Sequence, residues 1–577
     1  MTLVDRVRSL ALQEGEEARF FFIDGAARIR DSFSYARLDA VATSIATGLV
    51  ARGLSGQRVV LLMKPGCEFL YAFIGCLYAG AVPVPVALPG ADRSNARLQS
   101  IVRSCDPRAI MTDKPELMEA AAVAGIGAPV SLWSDFMPAP GAAAVHLPLV
   151  RGEDLAFLQY SSGSTASPKG VMVSHANLAD NLQCIVAKHR MTRDSRGLTW
   201  LPHFHDMGLI GGLLAPMFVG ACCHFMTPMD FAKHPLSWLQ AASRFGSTYT
   251  GAPDFAFDAC ATLAEDGREL ALDLRSLETC ACGAEPICAN SIRRFLSAFA
   301  RHGLRPSSFF PCYGMAECTV MTSSASFGQS GLDLLQTFDS NSLSLDPALP
   351  SDTAKREVEL VSSGTPVSGH EVIIVDQSCQ PCPEGATGEI WIRGPSVAQG
   401  YWNDAAQTEA TFGARTRDGA GPFLRSGDLG FLHGGKLFVT GRIKDLIIVR
   451  GCNIHPQDIE YPAGRCHAQL RPGIAAAFSI LDDDGAESLA LVQAVRPACD
   501  VSAYPEIALR IHAHVLQQQG VRLDVLVLTH ARNIPMTTSG KIQRQLCRAR
   551  FLSGELSPVL DMRWTAGFQA GCCTSSA

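Results

Sequence analysis

A loop rich in glycine and hydroxyl-bearing residues has the composition of a phosphate-binding segment. Residues 160–170 read Tyr-Ser-Ser-Gly-Ser-Thr-Ala-Ser-Pro-Lys-Gly, after a short apolar run at 155–158 that predicts a buried strand. Backbone N–H groups, hydroxyls and a lysine are the groups that hold phosphates in such loops. The loop is not a Walker motif, because Lys169 is followed by Gly170, and a plain flexible connection is the alternative. The candidate phosphate-binding residues are Ser161, Ser162, Gly163, Ser164, Thr165 and Lys169.

Two histidines and an aspartate follow at positions 203, 205 and 206, in the string Trp-Leu-Pro-His-Phe-His-Asp-Met-Gly-Leu-Ile-Gly-Gly. Two imidazoles one residue apart can share a strand face and bind a metal ion. No third and fourth ligand follows at a convincing spacing, so the metal interpretation is the weaker one. A histidine with a packing role in the core or in a loop is the other alternative.

An aromatic and acidic string at 309–317, Phe-Phe-Pro-Cys-Tyr-Gly-Met-Ala-Glu, could contact a nucleotide. Tyr313 offers a flat face for stacking on adenine. Gly314 permits a close backbone approach, and Glu317 offers a hard oxygen ligand for Mg²⁺. A Tyr-Gly pair alone usually marks a turn, but together with the loop at 160–170 it favours a nucleotide site.

Together these motifs resemble the adenylate-forming superfamily, which comprises acyl-CoA synthetases, luciferases and adenylation domains. The loop at 160–170 is similar to that superfamily's phosphate loop, although Ala166 stands where a glycine is usual. Residues 73–85 and the string Asn-Ile-Pro-Met-Thr-Thr-Ser-Gly-Lys-Ile-Gln-Arg at 533–544 resemble its first and last motifs. The matching motifs extend from about 60 to 550, in the superfamily's order.

The resemblance implies roles for residues that spacing alone does not assign. His205 takes the place of a histidine beside the carboxylate substrate, and Asp428 that of the carboxylate that accepts both ribose hydroxyls. Arg442 is expected to contact ribose and Lys444 to lie at the hinge between two domains. Lys541 is expected to bridge the substrate carboxylate and the α-phosphate. The remaining implied nucleotide-binding residues are Gly283, Ala284, Glu285, Tyr313, Gly314, Met315 and Ala316, the implied catalytic residues are Lys541, His205 and Glu317, and the implied metal ligands are Glu317 and Thr165.

Three features resemble one branch of the superfamily, the fatty acyl-AMP ligases. They are the string His-Asp-Met-Gly-Leu-Ile-Gly-Gly at 205–212, a polar segment at about 326–360, and Asn453, where CoA-forming members often have an arginine. In fatty acyl-AMP ligases an insertion at this place restrains the C-terminal domain and disfavours reaction with free coenzyme A. A surface loop without a role is the alternative for the segment at 326–360.

The resemblance implies that ATP and Mg²⁺ activate a fatty acid to an acyl-adenylate with release of pyrophosphate. The acyl group would then pass to the phosphopantetheine thiol of a separate acyl carrier protein, or of a polyketide or peptide synthase. Two alternatives stay open: a long-chain fatty acyl-CoA ligase that uses free CoA, and a non-catalytic acyl- or nucleotide-binding relative.

The elements that must position these residues alternate between helical and strand patterns. Residues 38–52 and 68–77 have helical spacing, whereas 58–63 and 82–86 are typical of strands. This alternation predicts an α/β protein with parallel sheets covered by helices. We expect a large N-terminal domain at 1–441, made of subdomains with mixed or parallel sheets flanked by helices plus a small sheet, and a smaller, mobile α+β lid domain at 442–577.

Composition restricts the possible partners and compartment. The chain of 577 residues is too long for one core, and its net charge of -6 argues against nucleic acid as the main partner. The uncharged runs at 69–91 and 207–229 are interrupted by prolines and glycines, so we expect no transmembrane segment. The 20 cysteines are scattered and the N-terminus lacks an apolar signal region, which predicts a reducing cytoplasm.

Overall fold

The computed structural model describes residues 1–88, 96–118, 127–138, 145–160, 168–265, 269–339, 357–449, 452–481, 487–537, 540–564 and 570–573. The helices in these ranges, numbered in chain order, are α1 (Leu3–Glu14), α2 (Tyr35–Ala51), α3 (Cys67–Tyr78), α4 (Ala96–Cys105), α5 (His175–His189), α6 (Ala215–Val219), α7 (Pro228–Lys233), α8 (Leu236–Phe245), α9 (Asp254–Glu265), α10 (Ala289–Ala300), α11 (Ala405–Phe412), α12 (Pro456–Ala463), α13 (Tyr504–Gln519) and α14 (Arg544–Leu552). A π-helix at Met207–Leu214 runs directly into α6.

The strands of the large region are β1 (Ala18–Ile23), β2 (Ile29–Ser34), β3 (Arg58–Leu62), β4 (Val82–Pro85), β5 (Ala109–Thr112), β6 (Val130–Leu132), β7 (Leu155–Tyr160), β8 (Gly170–Ser174), β9 (Arg196–Thr199), β10 (Cys222–Phe225), β11 (Tyr249–Ala252), β12 (Thr279–Cys282), β13 (Phe309–Tyr313), β14 (Ser323–Ser324), β15 (Leu335–Asp339), β16 (Glu357–Val361), β17 (Thr365–Pro366), β18 (Glu371–Val375), β19 (Gly388–Arg393), β20 (Leu424–His433) and β21 (Lys436–Arg442). The strands that follow are β22 (Ile447–Val449), β23 (Cys452–Ile454), β24 (Leu470–Leu481), β25 (Glu487–Val495), β26 (Val525–His530), β27 (Pro558–Trp564) and β28 (Ala570–Cys573).

A nine-stranded sheet in the order β17-β14-β13-β12-β11-β9-β10-β1-β2 forms the centre of the large region. The strands from β13 to β1 pair in parallel, whereas β2, β14 and β17 pair antiparallel at the two ends. Strands β11 and β12 are buried along their whole length, as expected for a parallel sheet covered on both faces. The α/β class predicted from the alternating patterns is therefore confirmed.

A second, parallel sheet has the order β4-β3-β5-β6 and lies in the same region. The uncharged run that begins at Phe69 supplies most of α3 and all of β4, and its residues within these two elements are buried. Strand β4 carries two prolines and lies at the sheet edge, where a missing N–H donor disturbs no ladder. Among the helices within the described ranges, none combines the length and the apolar character that crossing a bilayer would need.

Two smaller sheets follow along the chain. Strands β18, β19, β20 and β21 form an antiparallel sheet, as the alternating pattern at 369–393 predicts. Strands β24 to β28 form a mixed sheet with a separate apolar core on each face, one under α12 and α13 and the other under α14. The last part of the described chain therefore has a core of its own.

The polar segment at 326–360 is flanked by paired structure. Strands β15 and β16 pair antiparallel from Leu335 opposite Val361 to Asp339 opposite Glu357. Phe338 packs edge-on against Phe431 and Phe438 of the small antiparallel sheet. Residues 340–356 lie outside the described ranges. The base of this segment is thus tied to the strand pair β20–β21, which ends at Arg442.

Candidate functional site

Lys541 lies on a tight turn of the C-terminal region, between the bridge partners Met536 and Ile542. The Thr537 N–H donates to the Lys541 carbonyl at 2.8 Å, and the Lys541 N–H donates to the Thr537 hydroxyl at 3.0 Å. Gly540 has a φ of +88°, and a Cβ there would lie 3.5 Å from the Phe255 ring of α9. The turn therefore rests directly against the large region.

The electrostatic surroundings of Lys541 come from the large region. Burial lowers the pKa of the Lys541 ammonium below its usual value, and the positive charge of Arg442 lowers it further. The carboxylates of Asp206, Glu285 and Asp428 oppose that shift. The lysine thus sits in a partly desolvated position beside three acidic groups, where its charge interacts more strongly than in water.

His205 and Asp206 are in direct contact just before the π-helix. His205 Nδ1 lies 2.7 Å from Asp206 Oδ1, which also accepts the Met207 N–H at 2.7 Å. Burial alone would raise the pKa of Asp206, but His205, Lys541 and the Met207 N–H together hold that pKa below its usual value. The predicted histidine is therefore oriented by a neighbouring carboxylate, on a rare helix type that is frequent at functional sites.

His203 does not join His205 in a shared site. Its ring packs 4.2 Å from the Phe69 ring, and neither of its nitrogens has a hydrogen-bond partner among the described residues. Burial lowers the pKa of His203 to about 3, so the imidazole is neutral. The packing alternative therefore fits His203, whereas His205 lines the large cleft.

Asp428 joins two predicted nucleotide-binding residues in one hydrogen-bonded group. The Tyr313 hydroxyl donates to Asp428 Oδ2 at 2.8 Å, and Arg442 Nε donates to Asp428 Oδ1 at 2.8 Å. Asp428 and Arg442 lie opposite each other on β20 and β21, which fixes their spacing. The Asp428 charge raises the pKa of the Arg442 guanidinium. We call these three residues the carboxylate clamp.

Close backbone packing surrounds the predicted adenine-binding segments. A Cβ on Gly314 would lie 1.6 Å from the Val320 carbonyl oxygen, so only glycine fits there. A Cβ on Gly283 would lie 2.8 Å from the Cys312 carbonyl oxygen, and Ala284 has a φ of +70°. The Glu285 carboxylate accepts the Phe255 N–H at 2.8 Å, so this side chain caps α9. Residues 284–285 and 313–317 all line the cleft.

Glu317 faces the cleft at the end of a short helical turn (Ala316–Cys318). Its Oε1 accepts the Tyr401 hydroxyl at 2.8 Å, and burial raises the pKa of the carboxyl. A divalent cation at this carboxylate would offset the cost of burying its charge, so the donor chemistry fits Mg²⁺. The second predicted ligand, Thr165, lies outside the described ranges, which omit residues 161–167. The predicted phosphate-binding residues Ser161, Ser162, Gly163 and Ser164 belong to the same omitted segment.

Lys169 and Lys444 differ in their surroundings. Lys169 Nζ donates to Gln407 Oε1 at 2.7 Å and lies 4.7 Å from the centre of the Tyr401 ring. Lys444 is exposed, and its carbonyl accepts the Gln545 side-chain amide at 2.7 Å. Tyr401 therefore contacts both Lys169, over its ring, and Glu317, through its hydroxyl. Lys444 lies where α14 meets the end of β21.

A cleft of about 3020 Å³ brings most of these residues together. Its walls come from the large region and from the C-terminal region, and the carboxylate clamp, Glu317, His205 and Lys541 all line it. Residues that line it but were not assigned to the site from the sequence include Tyr401 and Gln407, whereas Asp206 was considered there only as a metal ligand. Tyr401 belongs to the string Gly-Tyr-Trp-Asn at 400–403, whose glycine and aromatic residues were the available signal.

Comparisons with known proteins agree with this geometry. The family described as AMP-binding enzyme matches residues 12–402. The chain is 36% identical to the medium-chain-fatty-acid–[acyl-carrier-protein] ligase JamA of Moorena producens, over 96% of both chains. It is 32% identical to the long-chain-fatty-acid–AMP ligase FadD32 of Mycolicibacterium smegmatis, over 96% of this chain and 95% of that one.

Solved structures give the same result. A structure from a study of fatty acyl-adenylate ligases of E. coli and L. pneumophila superposes with a TM-score of 0.86 at 31% identity, over 96% of this chain and 98% of that one. The fatty acyl-adenylate ligase of L. pneumophila in complex with acyl adenylate and pyrophosphate superposes with a TM-score of 0.72 at 34% identity, over 97% and 98% of the two chains. With the cleft and its residues in place, these matches establish that the chain belongs to the AMP-binding enzyme family and, within it, to the fatty acyl-AMP ligases.

Proposed function

We propose that this enzyme uses ATP to convert a fatty acid to its acyl-adenylate and then transfers the acyl group to the phosphopantetheine thiol of a separate acyl carrier protein or synthase. The observation that carries the proposal is the position of Lys541, whose turn rests against Phe255 in a cleft shared with the carboxylate clamp. A cation placed beside the nucleotide site would stabilise the negative charge that develops when the substrate carboxylate attacks the α-phosphate of ATP.

The chemistry requires positive charge at the α-phosphate. A carboxylate oxygen of the acid attacks the α-phosphorus, the bond to the bridging oxygen of pyrophosphate breaks, and pyrophosphate leaves with that electron pair. Lys541 would bridge the two reacting anions, and its lowered pKa reflects a site that is ready to receive negative charge. Asp428 would accept the ribose hydroxyls, with Arg442 and Tyr313 fixing its orientation.

Mg²⁺ and the phosphate loop complete the proposal. Glu317 would hold Mg²⁺, with Thr165 as a further ligand, and the ion would neutralise phosphate charge when bound. Lys169 and the hydroxyls of Ser161, Ser162, Ser164 and Thr165 would hold the β- and γ-phosphates. His205 would stand beside the substrate carboxylate, oriented by Asp206.

The separate core of the C-terminal sheet supports the proposed division into a domain at 1–441 and a lid at 442–577. The lid would reorient after adenylation so that the acceptor thiol could enter. The segment at about 326–360 would restrain that movement, since its base packs on the strand pair that leads to Arg442. The free thiols among the described cysteine side chains agree with the reducing cytoplasm that we propose as the compartment.

One assay separates this function from that of an acyl-CoA ligase. The purified enzyme is mixed with ATP, Mg²⁺, a fatty acid and either CoA or a holo-carrier protein, and the products are identified by mass spectrometry. We expect acyl-AMP and pyrophosphate in both mixtures, acylated carrier protein in the second, and little acyl-CoA in the first. Rapid acyl-CoA formation would contradict the proposed transfer to a carrier protein and favour an acyl-CoA ligase. If no acid gives pyrophosphate release, the protein would be a non-catalytic relative.

A further inference from the structure

The cleft continues from the site into the core of the large region, along a passage that we call the inner arm. Its lining residues are buried but contribute to the surface of the same cleft as Lys541: Ile185, His189, Gly211, Tyr249, Ala281 and Met321. Five of them come from α5, the π-helix and the strands β11 and β12, and Met321 lies just before β14. Most of this lining is apolar, as an acyl chain requires, but His189 and Tyr249 are not.

The Tyr249 hydroxyl is open towards the inner arm. It makes no hydrogen bond with any residue that the structure describes, although only 7% of the tyrosine is exposed. The hydroxyl lies 3.7 Å from the position that a Cβ on Gly211 would occupy, and Gly211 itself lines the arm. Because residue 211 has no side chain, nothing from the π-helix at that position covers the hydroxyl.

The His189 ring packs beside the Tyr249 ring in the wall of the arm. Its ring centre lies 5.5 Å from the Tyr249 ring and 5.5 Å from the Phe310 ring, and Nε2 is 3.3 Å from the buried Ser324 hydroxyl. The Nδ1 atom has no partner among the described residues. Burial lowers the pKa of His189 to about 3, so the imidazole is neutral and offers no charge to an acidic group.

A plain alkyl chain against this wall would leave the Tyr249 hydroxyl without a partner, away from water. Leaving a buried hydroxyl unsatisfied costs about 1–3 kcal/mol, and a site built to bind a polar group discriminates against the analogue that lacks it. A neutral hydroxyl on the chain would satisfy the tyrosine, whereas a second carboxylate would gain no charge from the neutral His189 imidazole.

We propose that the inner arm takes the acyl chain and that Tyr249 selects acids with a neutral hydrogen-bonding oxygen, such as a hydroxyl, on the far part of the chain. The proposal rests on the proposed function, because the carboxylate end of that chain is placed at Lys541. His189 forms the polar wall beside Tyr249 and limits how far the chain extends.

The test compares plain fatty acids with ω-hydroxy acids of the same length, from short to long, by kcat/KM for pyrophosphate release. At the length that reaches Tyr249 we expect the wild-type enzyme to favour the hydroxylated acid by about tenfold. Tyr249→Phe should reduce this ratio to near one. Tyr504→Phe removes a hydroxyl from another buried tyrosine, outside the cleft, and should keep the wild-type ratio. A ratio of one or less at every length in the wild type, or an unchanged ratio in Tyr249→Phe, would overturn the proposal.

A second variant guards against a Tyr249→Phe protein that fails to fold. Gly211→Ala places a methyl group in ordinary contact with the hydroxyl, so it should lower the same ratio while the tyrosine stays. Calorimetric binding of each acid is measured in parallel. If the wild type releases no pyrophosphate with any acid, the proposed function fails, and the binding preference for the hydroxylated acid then decides this inference alone.

Discussion

The carboxylate clamp and the Lys541 turn form two walls of one cleft but are held in different ways. Asp428, Tyr313 and Arg442 are joined to one another by two hydrogen bonds, with Asp428 and Arg442 opposite each other on β20 and β21 and Tyr313 on β13 of the nine-stranded sheet. Lys541 is held by backbone bonds within its own turn and meets its acidic neighbours only across the domain contact. The candidate nucleotide side is therefore tied together within itself, whereas Lys541, which we propose as the catalytic cation, is held on a separate turn.

The sharpest test of this contrast is Lys541→Ala. Removing a comparable transition-state donor lowers a rate by about 10²–10³, so we expect a loss of that size in the rate of acyl-AMP formation. Affinity for ATP should change little, because the clamp is intact. Rapid-quench measurement of acyl-AMP and equilibrium binding of ATP separate the two effects, and Lys114→Ala, at an exposed lysine far along the chain, is the control.

Near-normal acyl-AMP formation by Lys541→Ala would contradict the assignment of the lysine. Weak ATP binding by the same variant would instead show that the two walls are not independent.

The complementary change is Asp428→Asn. The amide keeps the size of the side chain but loses the charge that Arg442 pairs with and one acceptor for Tyr313 or ribose. Unsatisfied partners of this kind cost about 1–3 kcal/mol, so we expect KM for ATP to rise by about tenfold to a hundredfold. The kcat at saturating ATP should fall less. Steady-state kinetics decide the outcome, and a fall confined to kcat would mean that Asp428 acts on the reaction rather than on nucleotide binding.

The same contrast explains what could be predicted from the sequence. The alternating elements follow from local patterns, whereas the clamp residues were reached only through strings that resemble the superfamily's motifs. Tyr401 could not be assigned, because its hydroxyl reaches Glu317 across 84 positions of the chain. The capping role of the Glu285 side chain could not be predicted either, because its hydrogen bond with the Phe255 N–H depends on how α9 packs. Contacts between elements that are far apart in the sequence cannot be predicted from the spacing of residues.

The pH dependence of adenylation should report the surroundings of Lys541. Burial lowers the pKa of the ammonium, so activity should fall on the alkaline side at a lower pH than an ordinary lysine would give. Asp206 raises that pKa, so Asp206→Asn should move the alkaline limb to still lower pH. The profile of kcat/KM for the acid measures both. An alkaline limb that does not move would show that Asp206 and Lys541 are not electrostatically coupled.

The smallest effect is expected at the domain contact itself. Asp258 on α9 forms ion pairs with Arg294 of the large region and with Arg465 of the C-terminal region. These side chains are largely buried, with 14% of the aspartate and 21% of each arginine exposed. Such a pair is worth more than an exposed one, because solvent screens it less. Asp258→Asn should therefore slow acyl-AMP formation a few-fold while ATP binding is retained, since only delivery of Lys541 is weakened. Asp273→Asn breaks an exposed pair with Arg275, whose side chains are 52% and 79% exposed, and should have no effect. If both variants behave like the wild type, the lid is positioned by packing such as that of Gly540 on Phe255 rather than by charge.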